Sequence, residues 1–189
     1  MKYNKPSEDL SEVKFGDKRL EKRLKKTTEA MEEQTEGSIL SSCGNKHDAK
    51  AFYALLSNEK FSLEEVEKEA YKGTTRRIES SGITRVLLVQ DTCDANMEGH
   101  KKTKDLGYSS EHVRGVKLHS CLALIPKGTP LGLLSQQYES RKNKKIALNH
   151  EEKAKRPIEE KESYRWLETT RKTIERVPEG VEKVVICDR

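Results

Sequence analysis

Long apolar runs are missing from this chain, and so is any close pairing of cysteines. No segment approaches the roughly 20 apolar residues that a membrane-spanning helix needs. No signal-peptide pattern is visible either, so no membrane partner is expected. Cys43, Cys93, Cys121 and Cys187 are widely spaced and form no Cys-x-x-Cys pair. That usage fits reduced thiols in a cytoplasmic protein better than a disulfide framework. Cys43 and His47 have a Cys-x-x-x-His spacing, but no second pair completes a zinc site. Aromatic residues make up only 5% and hydrophobic residues only 33% of the 189 positions, so any core is thin. Charge is abundant instead: 37% of residues are Asp, Glu, Lys or Arg, with both signs interspersed and a formal net charge of +5. Such a chain leans mildly towards polyanions, and its recurrent apolar periodicity argues against wholesale disorder.

The first part of the chain, to about residue 75, reads as helical. From Asp17 to about Gln34, Leu20, Leu24, Thr27 and Met31 share one side, and Lys18, Arg19, Lys22, Arg23 and Lys26 fall on the other. A loop rich in Gly and Ser follows, from Gly37 to Asn45. Ala49, Phe52, Tyr53 and Leu56 predict the apolar stripe of a second helix. Ser62 with Glu65 is a capping-box pattern that opens a third helix, ahead of Val66, Ala70 and Ile78. After Ser81-Gly82 the pattern changes to strands. Arg85–Gln90, Val116–Ile125 and Leu131–Tyr138 are expected strands, the last two joined as a hairpin through Pro126-Lys127-Gly128-Thr129-Pro130. Asp94–Gly115 and the lysine-rich Arg141–Arg156 read as loops. Pro157 opens a helix carrying Trp166, Leu167, Thr170 and Ile174, and Glu182–Cys187 is the final strand. The order is strand, strand, strand, helix, strand: an α+β or α/β chain with a helical module at residues 1–78 and a sheet domain at residues 83–189.

Two features carry chemistry. The first and last expected strands each run into an aspartate, Asp91 and Asp188, and carboxylates on rigid strands suit hard divalent cations. The first expected helix carries a run with seven basic residues between Lys14 and Lys26, against the acidic Asp17 and Glu21. A solvated helix face and a phosphate-binding face fit that run equally well. His119 alternates with core positions and reads as structural or DNA-proximal rather than catalytic. Nothing near Cys93 or Cys187 activates either thiol.

The residues also resemble a known family. Phe15-Gly16-Asp17-Lys18-Arg19-Leu20, Ser42-Cys43-Gly44, Ala51-Phe52-Tyr53 with Asn58-Glu59, and Gln90-Asp91-Thr92 are similar to segments of bacterial insertion-sequence transposases of the DDE type. So, in the same order, are Leu118-His119-Ser120, Leu131-Gly132-Leu133-Leu134, Glu160-Lys161-Glu162-Ser163 with Trp166, and Cys187-Asp188-Arg189. The resemblance spans almost the whole chain. It implies a small helical module that binds double-stranded DNA at transposon ends, followed by a ribonuclease-H-like catalytic domain. It makes Asp91 and Asp188 the first two catalytic carboxylates, binding Mg²⁺ or Mn²⁺. Two such cations, about 3.5–4 Å apart, would activate the attacking oxygen and stabilise the leaving one. Lys18, Arg19, Lys22, Arg23 and Lys26 become the DNA-binding residues, with Arg19 and Arg23 the candidates for reading base edges.

The family's third acidic residue, a glutamate beyond the second aspartate, has no match here, since Glu159 and Glu162 precede the last strand. The expectation is therefore the N-terminal part of a cut-and-paste transposase, nucleoid-associated in a bacterial cytoplasm. Its ribonuclease-H-like domain is incomplete, weak in metal binding and inactive alone. The alternative is a non-catalytic DNA-binding inhibitor of a full-length transposase. An unrelated complete nuclease would need an acidic residue that is not found.

Overall fold

The structure, a computed structural model, describes residues 5–110, 113–141 and 155–187. The chain divides into two compact units, Met1–Gly82 and Ile83–Arg189. Among the described residues no helix is long and apolar enough to cross a membrane.

The first unit is helical: α1 (Pro6–Leu10), α2 (Lys18–Glu33), α3 (Ile39–Ser42), α4 (Lys46–Leu56) and α5 (Leu63–Ser81). Short polar side chains start four of these helices. Asp17 accepts from the Arg19 amide, Ser38 from Ser41, Asn45 from Asp48 and Ser62 from Glu65. Each of these caps satisfies an amide that the helix itself leaves unpaired. α5 stops at Gly82, whose φ of 65° is left-handed and open to glycine. Val13, Leu24 and Leu55 are the buried centre of this unit, ringed by Leu10, Phe15, Leu20, Phe52, Phe61 and Val66. Leu24 and Thr27 are buried as their spacing predicts. The stripe expected on α4 is corrected: Ala49, Phe52 and Leu55 face inwards, while Tyr53 and Leu56 are exposed.

α1, which has no periodicity long enough to announce it, is fixed from two sides. Glu32 of α2 accepts from the Ser7 hydroxyl (2.7 Å) and from the Ser7 amide. Asp9, only 2% exposed, pairs with Arg76 (3.2 Å) and Arg77 of α5. Its carboxylate lies against Gly73, where an added Cβ would come within 2.1 Å of Asp9 Cγ.

The second unit is a four-stranded mixed sheet with a helix on one face. The strands are β1 (Arg85–Asn96), β2 (Gly115–Leu124), β3 (Pro130–Glu139) and β4 (Glu182–Cys187), in the order β3-β2-β1-β4. β2 is antiparallel to β1 and β3, and β4 is parallel to β1. Opposite charges mark the registers. Arg85 meets Glu182 at 2.7 Å across β1 and β4, and Asp94 meets Lys117 at 2.8 Å across β1 and β2. A 3₁₀ turn (Ile158–Glu160) leads to α6 (Tyr164–Arg176), which packs on the sheet and returns the chain to β4.

Two expectations are corrected here. β1 does not stop at Asp91 but pairs with β2 as far as Asn96↔Gly115, so Asp91 lies inside the strand, opposite Ser120. The helix after Pro157 begins only at Tyr164, and its buried face is Arg165, Thr169 and Thr173 rather than Leu167 and Ile174, which are exposed.

The two faces of the sheet differ. Towards α6 lie Val86, Leu88, Cys121, Ala123 and Leu134, all buried. Burial pushes the Cys121 thiol up to about 11, far from a nucleophilic thiolate. On the other face Leu87, Val89, Leu122, Leu124 and Val184 are half-buried, and Leu133 and Ile186 are exposed.

Candidate nucleic-acid interface and acidic strand

The basic residues of α2 are not equivalent. Arg19 is 91% exposed in its side chain and, among the described residues, pairs with its own helix cap, Asp17, at 3.3 Å. Hydrogen bonding and charge from Arg19 hold the Asp17 carboxyl below its ordinary range. Lys18 and Lys22 are exposed as well. Arg23 and Lys26 instead converge on Asp48 of α4, each at 2.9 Å from Oδ1. Asn45 supports the same carboxylate with its side-chain amide at 2.9 Å. The Lys26 ammonium, then Asn45, and to a smaller extent Arg23, hold Asp48 well below the usual carboxylate range. A depressed folded value means the tie is intact above the usual carboxylate pKa and is lost only as pH falls through the lowered one. A phosphate approaching Arg23 or Lys26 must therefore compete with a carboxylate shared by both, whereas Lys18 and Lys22 are exposed. Arg19, although it also meets the Asp17 carboxylate, keeps 91% of its side chain exposed to an incoming phosphate. Of the second basic stretch, residues 142–154 lie outside the described residues, and Arg141 is paired with Glu162.

On β1, Asp91 projects from the face opposite α6 and is exposed. Its carboxylate accepts one hydrogen bond, from the Thr92 amide to Oδ1 at 2.7 Å. Beside it across the strands stand Ser120 and Gln136, in register and hydrogen-bonded to each other at 2.7 Å. The open face, apolar at Leu87 and Val89, thus turns polar at Asp91. An exposed carboxylate on a central strand is a hard oxygen donor on a rigid frame and fits a divalent cation. No group of three or more His, Cys, Asp or Glu among the described residues is placed to hold a metal. Asp188 lies outside the described residues, but the parallel pairing reaches Gln90↔Cys187, the residues immediately preceding Asp91 and Asp188.

Behind Asp91 is a polar cluster of which the sequence singled out only His119, at a core-alternating position, and not its partners. Gln90 and His119 are each 1% exposed. Burial, reinforced by the Arg165 charge, lowers the imidazole's pKa, while Asp91 opposes that shift. The ring is packed edge-on to Trp166 with centroids 4.5 Å apart. The only sequence signal for this cluster was a glutamine and a histidine at positions whose alternation demands burial.

No curated protein matches this chain. The family model for transposase DNA-binding matches residues 6–61, which run from α1 through α4 to Phe61 and include the basic face of α2; the match supports a transposase N-terminus with DNA as its partner.

Proposed function

We propose that this chain supplies the end-binding module and the first catalytic strands of a DDE-type insertion-sequence transposase. In this reading the helical unit grips transposon-end DNA, and the sheet unit supplies the opening strands of a ribonuclease-H-like catalytic domain. The observation that carries the DNA-binding half is the coincidence of the matched residues 6–61 with a unit that leaves Lys18, Arg19 and Lys22 solvent-facing. DNA end recognition follows from phosphate contacts by the lysines, which set position, and from base-edge contacts by Arg19.

The strand order β3-β2-β1-β4, with β4 parallel to β1, supports the catalytic half. So does the Gln90↔Cys187 pairing, one residue before Asp91 on β1. Asp91 and Asp188 would hold Mg²⁺ or Mn²⁺, which when bound would supply Lewis-acid polarisation of phosphoryl oxygens and of an attacking water.

Two measurements test these halves separately. Affinity of the chain for duplex DNA, followed by fluorescence anisotropy from about 50 to 200 mM salt, should fall with a log–log slope of about −0.9 per phosphate contacted. A flat salt response would remove the basic face from the interface. Mn²⁺ should broaden the NMR signals around residue 91 at about millimolar concentration, in the weak range for oxygen-ligand sites. Asp91→Asn should abolish that broadening, and identical titrations of the two proteins would sink the metal assignment.

A further inference from the structure

We infer that His119 is a positioning residue for the Asp91 carboxylate, acting through Thr92. The consequence for metal rests on the reading of Asp91 as a cation ligand, but the positioning itself does not.

The geometry is unusual in one respect: a single imidazole holds both chain neighbours of Asp91. His119 Nδ1 lies 2.7 Å from Thr92 Oγ1, and His119 Nε2 lies 3.1 Å from Gln90 Oε1. Both neighbours point towards α6, so Asp91 between them must point the other way, onto the open face. The chain of bonds has one direction. The Thr170 hydroxyl donates to the Trp166 carbonyl at 2.8 Å, so its oxygen accepts from Gln90 Nε2 at 2.7 Å. Gln90 therefore presents its carbonyl oxygen to His119, which places the ring proton on Nε2 and leaves Nδ1 to accept from the Thr92 hydroxyl.

Thr92 is consequently held on both faces of the sheet. Its hydroxyl is tied to His119 behind, and its amide is given to Asp91 Oδ1 in front at 2.7 Å. Edge contact with Trp166 stops the imidazole from turning out of this arrangement. Burying glutamine, histidine and threonine between a sheet and a helix is costly unless every group is paired. An apolar pair at positions 90 and 119 would fill the same space without that cost. It would not fix the peptide that follows Asp91. Loss of a residue that orients a ligand in this way typically costs about 10- to 100-fold in metal affinity.

The test is NMR on the whole chain, reading Asp91 χ1 from side-chain couplings and the exchange of the Thr92 amide. His119→Phe keeps an aromatic edge on Trp166 and removes both ring nitrogens. Thr92→Val keeps the shape of the side chain and removes the hydroxyl, and Thr92→Ser restores the hydroxyl. The wild type and Thr92→Ser should show one Asp91 rotamer and a protected Thr92 amide. His119→Phe and Thr92→Val should show averaged rotamers and faster exchange, and should need between about ten- and a hundredfold more Mn²⁺ for the same broadening. A single Asp91 rotamer retained in folded Thr92→Val would overturn the inference and leave the network a packing device. Should His119→Phe fail to fold, the contrast between Thr92→Val and Thr92→Ser decides alone. Absence of Asp91-dependent Mn²⁺ binding in the wild type would defeat the metal reading while leaving the rotamer result to decide this one.

Discussion

Asp9→Ala should destabilise the helical unit by about 3–5 kcal/mol, the range expected when one partner of a buried ion pair is removed. α1 has five residues and no side-chain N-cap, too little to persist as a helix alone. It is held by Ser7 on Glu32, by Asp9 on Arg76 and Arg77, and by the burial of Leu10 and Val13. Of the two arginines, Arg76 is 46% exposed in its side chain and so contributes little. Arg77 is 12% exposed and loses the Asp9 carboxylate in the variant, while its contact with the Thr74 hydroxyl at 3.3 Å remains. At about 0.05–0.15 kcal/mol per residue, a unit of this size has only about 4–12 kcal/mol in total, so the loss is a large share of it.

Gly73→Ala provides an independent check through its sign. Alanine in a helix interior is worth about 1 kcal/mol over glycine on propensity alone. Here the added Cβ would meet the Asp9 carboxylate at 2.1 Å, so the substitution should destabilise instead. Urea denaturation followed by circular dichroism, with both variants against wild type, measures both effects. A stabilising Gly73→Ala would mean that Asp9 can leave its site at little cost. The matched residues 6–61 include Asp9 but stop short of Gly73, Arg76 and Arg77. The helical unit thus needs α5 to hold α1.

What the sequence made legible, and what it did not, follows the range of the interactions involved. Caps are local, so Asp17 and Ser62 announce α2 and α5 from a few residues each. Alternation is local too, and it places β2, β3 and β4 within a residue or so of their observed ends. The phase of α4 was not legible, because Ala51 to Leu56 is apolar throughout and several stripes fit the same residues. Only packing against Val13 and Leu24 selects Leu55 over Leu56.

α6 defeats the apolar rule for a different reason. It meets a sheet face containing Gln90 and His119, where the Thr170 hydroxyl gives Gln90 a partner that leucine could not, although the buried Thr169 Oγ1 has no hydrogen-bond partner among the described residues. Thr173 returns its hydroxyl to the Thr169 carbonyl and Thr170 to Trp166, while Gln90 donates to Thr170. The extension of β1 past Asp91 rests on backbone pairing and on Asp94 meeting Lys117, neither of which has a signature in one strand alone. At the candidate site, the presence of a basic face was readable from composition. Which of its members already had a partner was not, because Asp48 lies 25 residues from Arg23.

That division leads to the second large effect. Replacing Lys18, Arg19 and Lys22 together with alanine should reduce the slope of log affinity against log salt by about 2.7, at about 0.9 for each phosphate left without its cation. At about 0.1 M salt this corresponds to a fall of between about 10²- and 10³-fold in DNA affinity. Arg19 contributes most of any sequence preference, since its fork alone among the three suits a guanine edge. Arg23→Ala with Lys26→Ala removes two cations as well, but both share the single negative charge of Asp48 at 2.9 Å, so the cluster presents a net charge of only about one cation to a phosphate. Their removal should change the slope by less than about one phosphate's share. Asp48→Asn reverses the logic: it releases both side chains towards the phosphates and should steepen the slope while loosening α2 from α4. Anisotropy titrations of the four proteins at several salt concentrations, each checked for folding by circular dichroism, separate the two sets. Equal slope changes for the triple and double variants would show that Asp48 reserves nothing and that the whole face meets DNA as one surface.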